Sequence, residues 1–177
     1  MTIAIRLARA EEAVLLPAVE QSAGGLFRTL PDLAWIADDQ NQPAEAYLPL
    51  IANGSVWVAA DAAAGLVGLI MCEAFEDGLH VWELAVADGF QGRGIGRALL
   101  DAAVAFARDA GLRSVTLTTF RHVVWNGPFY ARYGFVELAC ETMGARLAED
   151  VRLEEERGLP NRCAMVLSLA PDRGRGI

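Results

Sequence analysis

The chain has 177 residues, 54% of them hydrophobic, and a formal charge of −8 in which all 15 basic residues are arginine. That length and apolar content fit one domain with a single packed core, and an acidic chain without a basic cluster is a poor match for a phosphate backbone, so nucleic acid is not an expected partner. No run of ~18 apolar residues and no basic-then-apolar leader stands in the sequence, so neither a membrane span nor a secretory signal is expected. Cys72, Cys140 and Cys163 are odd in number and form no Cys-x-x-Cys motif. They are expected to be small buried hydrophobes, reduced in a cytoplasm, and not a metal or redox centre.

Residues 2–7 alternate Ile3, Ile5 and Leu7 and predict a first strand. Residues 10–23 carry an amphipathic helical pattern in which Pro17 marks a kink or a later start. Gly24-Gly25 breaks it, and residues 26–42, with Phe27, Trp35 and Ile36 between Pro31 and Pro43, are apolar but irregular. A helix over 44–52, closed by Asn53-Gly54, leads into strands at 55–60 and 66–75. The turn Glu76-Asp77-Gly78 delivers the chain to a third strand of the same meander.

That third strand alternates Val81, Glu83 and Ala85 with Trp82, Leu84 and Val86, and then the period changes. From Ile95 the apolar positions recur at Ala98, Leu99, Ala102, Ala103, Phe106 and Ala110, so a helix opens directly after Gln91-Gly92-Arg93-Gly94-Ile95-Gly96-Arg97. The first amides of a helix have no internal partner and carry roughly half a positive charge, so this mouth suits an anion. Gly92, Gly94 and Gly96 would let a phosphate approach the backbone, Arg93 and Arg97 would add charge, and Gln91 would fix the loop. A Walker loop is excluded because the chain has no lysine, and no glycine spacing here gives Gly-x-Gly-x-x-Gly.

Beyond a stop near Gly111, residues 113–119 predict a β-branched strand, parallel to its predecessor across the helical crossover. In Trp125-Asn126-Gly127-Pro128-Phe129-Tyr130-Ala131-Arg132-Tyr133-Gly134-Phe135, Pro128 suits a helix's first turn and Gly134 its end, before a strand over 135–139. By pattern Phe129, Tyr133 and Phe135 read as core. Residues 142–157 form a charged, solvated helix or loop, 162–169 a closing strand, and 171–177 a flexible tail.

The glycine loop and the Asn126–Phe135 stretch together resemble the GCN5-related N-acetyltransferase (GNAT) family, the second stretch in a shortened spacing. The resemblance implies an α/β (α+β) fold: a mixed, mostly antiparallel sheet of about seven strands flanked by four to five helices, with a parallel splay between strands four and five. It implies one acetyltransferase domain over 1–170 that moves an acetyl group from acetyl-CoA, a co-substrate, to a small-molecule amine, without a metal. It places CoA against Leu84, Ala85, Val86, Gln91, Gly92, Arg93, Gly94, Ile95, Gly96, Arg97, Asn126 and Phe129, with a backbone amide of the 84–86 segment facing the developing oxyanion if that strand bulges. Tyr130 takes the position of the tyrosine that protonates the departing thiolate. It also puts the acceptor side of the cleft over residues 26–42 and leaves room for a homodimer.

The chemistry needs a base, because an alkyl amine with a pKa of ~10.4 is protonated at neutral pH. Glu83, on an apolar strand beside the loop, is the first candidate, directly or through a water. His122 titrates near neutrality and competes with it, though a surface-loop histidine is the reading the sequence favours; His80, at a turn, is expected to be solvated. A sensor that binds acyl-CoA without turnover, and acetylation of a protein N-terminus, are the alternatives.

Overall fold

A computed structural model describes residues 2–39, 42–76 and 78–169. The expected tail, residues 40–41 of the irregular segment and Asp77 of the predicted turn lie outside these. Among the described residues seven strands form one sheet in the order β1-β2-β3-β4-β5-β7-β6, accompanied by five α-helices and four 3-10 segments. In chain order these are β1 (Ile3–Leu7), α1 (Leu16–Gly24), α2 (Leu48–Ala52), β2 (Val56–Asp61), β3 (Gly65–Phe75), β4 (Gly78–Val86), α3 (Ile95–Asp109), β5 (Ser114–Phe120), α4 (Gly127–Tyr133), β6 (Val136–Glu137), α5 (Ala145–Glu156) and β7 (Arg162–Ser168). The expected mixed sheet is borne out, including parallel β4 and β5, whose pairing runs from Gly78 opposite Ser114 to Val81 opposite Leu117.

Two compact units divide the chain, one within Met1–Glu73 and Trp82–Ala105, the other within Ala74–Val81 and Phe106–Ile177. In the first, β1 and β2 pair antiparallel from Ile3 opposite Asp61 to Leu7 opposite Trp57, and β2 pairs antiparallel with β3 across a register shift at Ala59/Ala60. The predicted helix over 10–23 divides in two: a 3-10 segment, Ala10–Leu15, precedes α1. Pro17 is the reason, since it has no N–H to continue a helical ladder and is tolerated only in the first turn, where that donor would be orphaned anyway. Pro49 does the same for α2, leaving Ala44–Ala46 as a 3-10 turn. Residues Gly25–Thr29 and Pro31–Asp38 are 3-10 segments in the stretch that sequence left irregular.

The start of the 3-10 segment Ala10–Leu15 is fixed by a buried ion pair that the pattern did not announce. Glu12 is 5% exposed; it accepts two hydrogen bonds from Arg6 at 2.8 and 2.6 Å, one from the Arg9 guanidinium at 2.8 Å and one from the Arg9 backbone N–H at 2.9 Å. Hydrogen bonding to Arg6 first, with Arg9 adding to it against the opposing effect of burial, holds its carboxyl well below the usual carboxylate range. Above this pair the core gathers Leu16, Val19, Tyr47, Val56, Val58, Leu69, Met71 and Ala85.

In the second unit β5 is the central strand, paired antiparallel with β7 along its length, and β7 pairs in turn with β6. The predicted 135–139 strand shrinks to the two residues Val136 and Glu137 at the sheet edge. The charged 142–157 segment is helix α5, tied down by Glu154: it accepts from Arg162 at 2.7 and 2.9 Å and from the Thr118 hydroxyl at 2.6 Å. His80 corrects a second expectation. It is 1% exposed, its Nδ1 lies 3.0 Å from the Thr116 hydroxyl and 3.3 Å from Arg146, and its ring meets Phe75 edge-on. Burial, helped by the Arg146 charge, pushes its pKa down to about 3. Of the cysteines, Cys72 and Cys163 are buried as expected, whereas Cys140 is exposed.

Candidate active site

The N-terminal unit holds the glycine loop. β4 ends at Val86, the chain turns through Ala87–Gly94, and the first α3 hydrogen bond is Ala98 N–H to the Gly94 carbonyl at 3.0 Å. The amides of Ile95, Gly96 and Arg97 therefore precede the helical ladder, at its positive end. Gly92 and Gly94 sit at φ +72° and +80°, and a Cβ added to either would meet nothing within 4 Å. Backbone conformation selects glycine there, and the space beside it stays open.

The loop is braced from both ends. Gln91 Nε2 donates to the Val86 carbonyl at 2.9 Å, Ser22 Oγ accepts from the Asp88 N–H at 3.0 Å, and the Arg93 guanidinium stacks 5.3 Å from the Phe90 ring centre. On α3, Ile95, Leu99, Leu100, Ala103, Val104 and Ala107 are buried. Gly68 in β3 makes that seat possible: a Cβ there would stand 3.1 Å from the Ala85 carbonyl oxygen, 3.2 Å from Leu99 Cδ1 and 3.3 Å from Ile95 Cγ2. Sequence reasoning passed over Gly68, although a glycine inside a strand is itself a signal of close approach.

On the strand leading into the loop, Glu83 is half-buried and Ala85 buried. The charge of Glu83 reaches Tyr47, which is fully buried between the Ala44–Ala46 turn and α2. Burial first, then the Glu20 and Glu83 carboxylates, drive the Tyr47 phenol far above its ordinary value. Burial likewise raises the pKa of Glu20, on α1, with Tyr47 opposing it. The Tyr47 hydroxyl lies close enough to Glu20 for each to shift the other's titration, yet it makes no hydrogen bond of ordinary geometry. Neither Glu20 nor Tyr47 was singled out from the sequence, because their proximity to Glu83 spans three separate elements.

The C-terminal unit holds the second motif. Asn126 caps α4 with φ −114° and ψ −109°, and its carbonyl accepts from the amides of Phe129 and Tyr130 at 2.8 and 3.1 Å. Gly127 is required by packing: a Cβ would stand 2.5 Å from the Arg121 carbonyl oxygen and 3.0 Å from that of Phe120. Asn126 Oδ1 is buried without a hydrogen-bond partner among the described residues. Tyr130, 7% exposed, is held edge-on between Phe129 and Phe135, with ring centres 5.1 and 5.7 Å away. The α4 helix ends at Gly134, φ +125°. His122, the competing base, is exposed. Among the described residues no group of three or more His, Cys, Asp or Glu could hold a metal ion.

A mixed sheet with parallel β4 and β5, and a bare glycine loop at a helix mouth after its fourth strand, make an arrangement suited to an anionic ligand. Residues 52–137 match the model of the acetyltransferase (GNAT) domain, a family whose acyl donor is acetyl-CoA. Solved structures share the fold. Rv2747 from Mycobacterium tuberculosis, solved with CoA, is 22% identical with a TM-score of 0.68, over 94% of this chain and 99% of that one. The PaiA N-acetyltransferase from Thermoplasma acidophilum, solved with coenzyme A, is 19% identical with a TM-score of 0.70, over 96% and 100%. The N-acetylglutamate synthase from Neisseria gonorrhoeae, solved with coenzyme A and N-acetyl-glutamate, is 18% identical with a TM-score of 0.69, over 96% of this chain and 35% of that one.

Proposed function

We propose that this chain is an N-acetyltransferase that moves an acetyl group from acetyl-CoA to the amine of a small molecule by direct attack, residues 1–170 acting as one acetyltransferase domain in the cytoplasm. The observation that carries the reading is the loop: two glycines at positive φ, open where side chains would stand, at the mouth of a helix whose first amides precede its ladder. These residues fit a diphosphate. Amides from Gly92 to Arg97 would hold it, with Arg93 and Arg97 adding charge. The buried, unpartnered Asn126 Oδ1 suits an amide N–H of the pantetheine arm, beside Phe129.

When bound, acetyl-CoA supplies an acetyl thioester. Glu83 takes a proton from the acceptor's ammonium group and so frees the nitrogen lone pair. A backbone amide of Leu84, Ala85 or Val86 donates to the carbonyl oxygen as negative charge gathers there. Tyr130 gives its hydroxyl proton to the sulfur as the carbon–sulfur bond breaks and the carbon–nitrogen bond forms, and the second proton, which the acylated nitrogen then sheds, restores the phenol through solvent.

The test is thiol release over a panel of primary amines. Tyr130→Phe is expected to lower kcat about 10²-fold or more while the acetyl-CoA Kd stays put, and Glu83→Gln to lower kcat/KM by a similar factor and abolish the acid limb of its pH profile. Acetyl-CoA binding with no thiol released from any amine would make the chain an acyl-CoA sensor and end the transferase reading.

A further inference from the structure

The last turn of α1 grips two parts of the N-terminal unit that lie apart in sequence. On one side Ser22 Oγ accepts the Asp88 N–H at 3.0 Å, across 66 residues of chain. Asp88 stands at the entrance of the glycine loop, where the chain otherwise closes on itself. Its carboxylate accepts the Gly89 N–H at 2.8 Å, and the Ala87 carbonyl accepts the Phe90 N–H at 3.1 Å. Gly89, Gly92 and Gly94 all sit at positive φ, so the stretch has little conformational preference of its own and depends on outside anchors. The Ala87 N–H on the Val67 carbonyl, at 2.9 Å, is one such anchor, and Ser22 is another. On the other side Gln21 Nε2 donates to the Ala37 carbonyl at 2.6 Å. Ala37 is buried, and a Cβ on Gly24 would lie 3.9 Å from its Cα, so the 3-10 segments of residues 25–38 rest on this turn. Consecutive helical residues point about 100° apart, which lets one turn hold both parts.

We propose that Ser22 is a positioning residue for the acyl donor, and that the last turn of α1 is a strut through which bound acetyl-CoA stiffens residues 25–38. The inference rests on the reading that the glycine loop holds the diphosphate of acetyl-CoA. The amides of residues 92–97 meet a diphosphate together only while the backbone from Val86 to Ile95 keeps one course, and Ser22 fixes where that course begins. A loop already held loses less freedom on binding, so the hydroxyl raises donor affinity without touching the donor. The same bond carries the effect outward. An anion that immobilises the loop also steadies the end of α1, and through Gln21 it steadies the Ala37 end of the segment, whose Arg28 and Asp38 are clasped at 2.6 and 3.1 Å. Coupling of this kind is reciprocal, so whatever steadies residues 25–38 tightens the grip on the donor. Ser22 acts through the Asp88 amide and Gln21 through the Ala37 carbonyl; neither takes part in the chemistry.

Calorimetry with acetyl-CoA, and amide exchange with and without CoA, test this on the full chain. Ser22→Ala is expected to raise the acetyl-CoA Kd about fivefold, the loss of one neutral hydrogen bond, while kcat at saturating acetyl-CoA stays within about twofold. Alanine suits a helix, so the variant should melt like the wild type. Ser22→Thr keeps the hydroxyl oxygen and should restore the Kd. In the wild type, CoA should slow exchange over residues 25–38 about threefold or more, and Ser22→Ala and Gln21→Ala should each abolish that gain. A Kd unmoved by Ser22→Ala or not restored by Ser22→Thr overturns the strut and leaves the transferase standing, as does exchange over residues 25–38 that ignores CoA. A wild-type chain that binds no acetyl-CoA overturns the two readings together.

Discussion

Glycine is indispensable in two places of this molecule for opposite physical reasons. In the loop before α3, Gly92 and Gly94 are demanded by backbone conformation, at φ +72° and +80°, and their surroundings are open. In the turn before α4, Gly127 is demanded by space, because the Arg121 carbonyl oxygen would lie 2.5 Å from a Cβ. A glycine facing emptiness leaves room for something that arrives later, whereas a glycine facing backbone is part of the fold itself. Substitution should therefore separate the two, binding failing in one region and folding in the other.

The largest effect is expected at the packed site. Gly127→Ala forces a methyl group against the main chain of residues 120–121, which cannot move aside as a side-chain tip could. A stability loss of about 3 kcal/mol should follow, read as a lower urea midpoint at unchanged slope. Gly94→Ala comes next and acts elsewhere. The strain of a non-glycine residue at that φ is about 1 kcal/mol, so the protein should stay folded. Its acetyl-CoA Kd should rise roughly tenfold, about the equivalent of one hydrogen bond to an anionic oxygen. Equal damage to stability by both variants, or an unchanged Kd in Gly94→Ala, would erase the distinction.

The same contrast explains what could be read from sequence. The strand, loop and helix of residues 81–110 were legible because each signal is local: a period of two, a cluster of glycines, a period near three and a half. Pro128 and Gly134 bounded α4 for the same reason. What stayed hidden depends on partners distant along the chain. Gly68 is needed because Ile95 and Leu99 pack over it, Glu12 is buried because Arg6 and Arg9 clasp it, and β6 pairs with β7 at the sheet edge over two residues only. His80 resembled a turn residue, yet Thr116, Arg146 and Phe75 enclose it. Tyr47 with Glu20 and Glu83 is the extreme case, since no spacing in the sequence connects a helix, a turn and a strand.

The smallest effect concerns pH, and it too divides the units. His80 in the C-terminal unit has its folded pKa depressed from 6.5 to about 3, by burial first and the Arg146 charge second. Its neutral form is the one the fold accepts, so this contribution is complete above pH ~6.5 and is lost as pH falls from there toward 3. By pH 5.5 the loss should reach about 1 kcal/mol. In the N-terminal unit the signs differ. Glu12, depressed by its two arginines, keeps its contribution until pH falls below the ordinary carboxylate value, 4.5. Glu20 is raised by burial, so acidification favours the folded form there. As pH falls from 7.5 to 5.5, amide protection factors, corrected for the slower intrinsic exchange, should therefore drop in β5 and β7 ahead of β2, and His80→Asn should remove that difference. Parallel loss of protection in both units, or a slope that survives His80→Asn, would mean that the buried imidazole is not what ties the C-terminal unit to neutral pH.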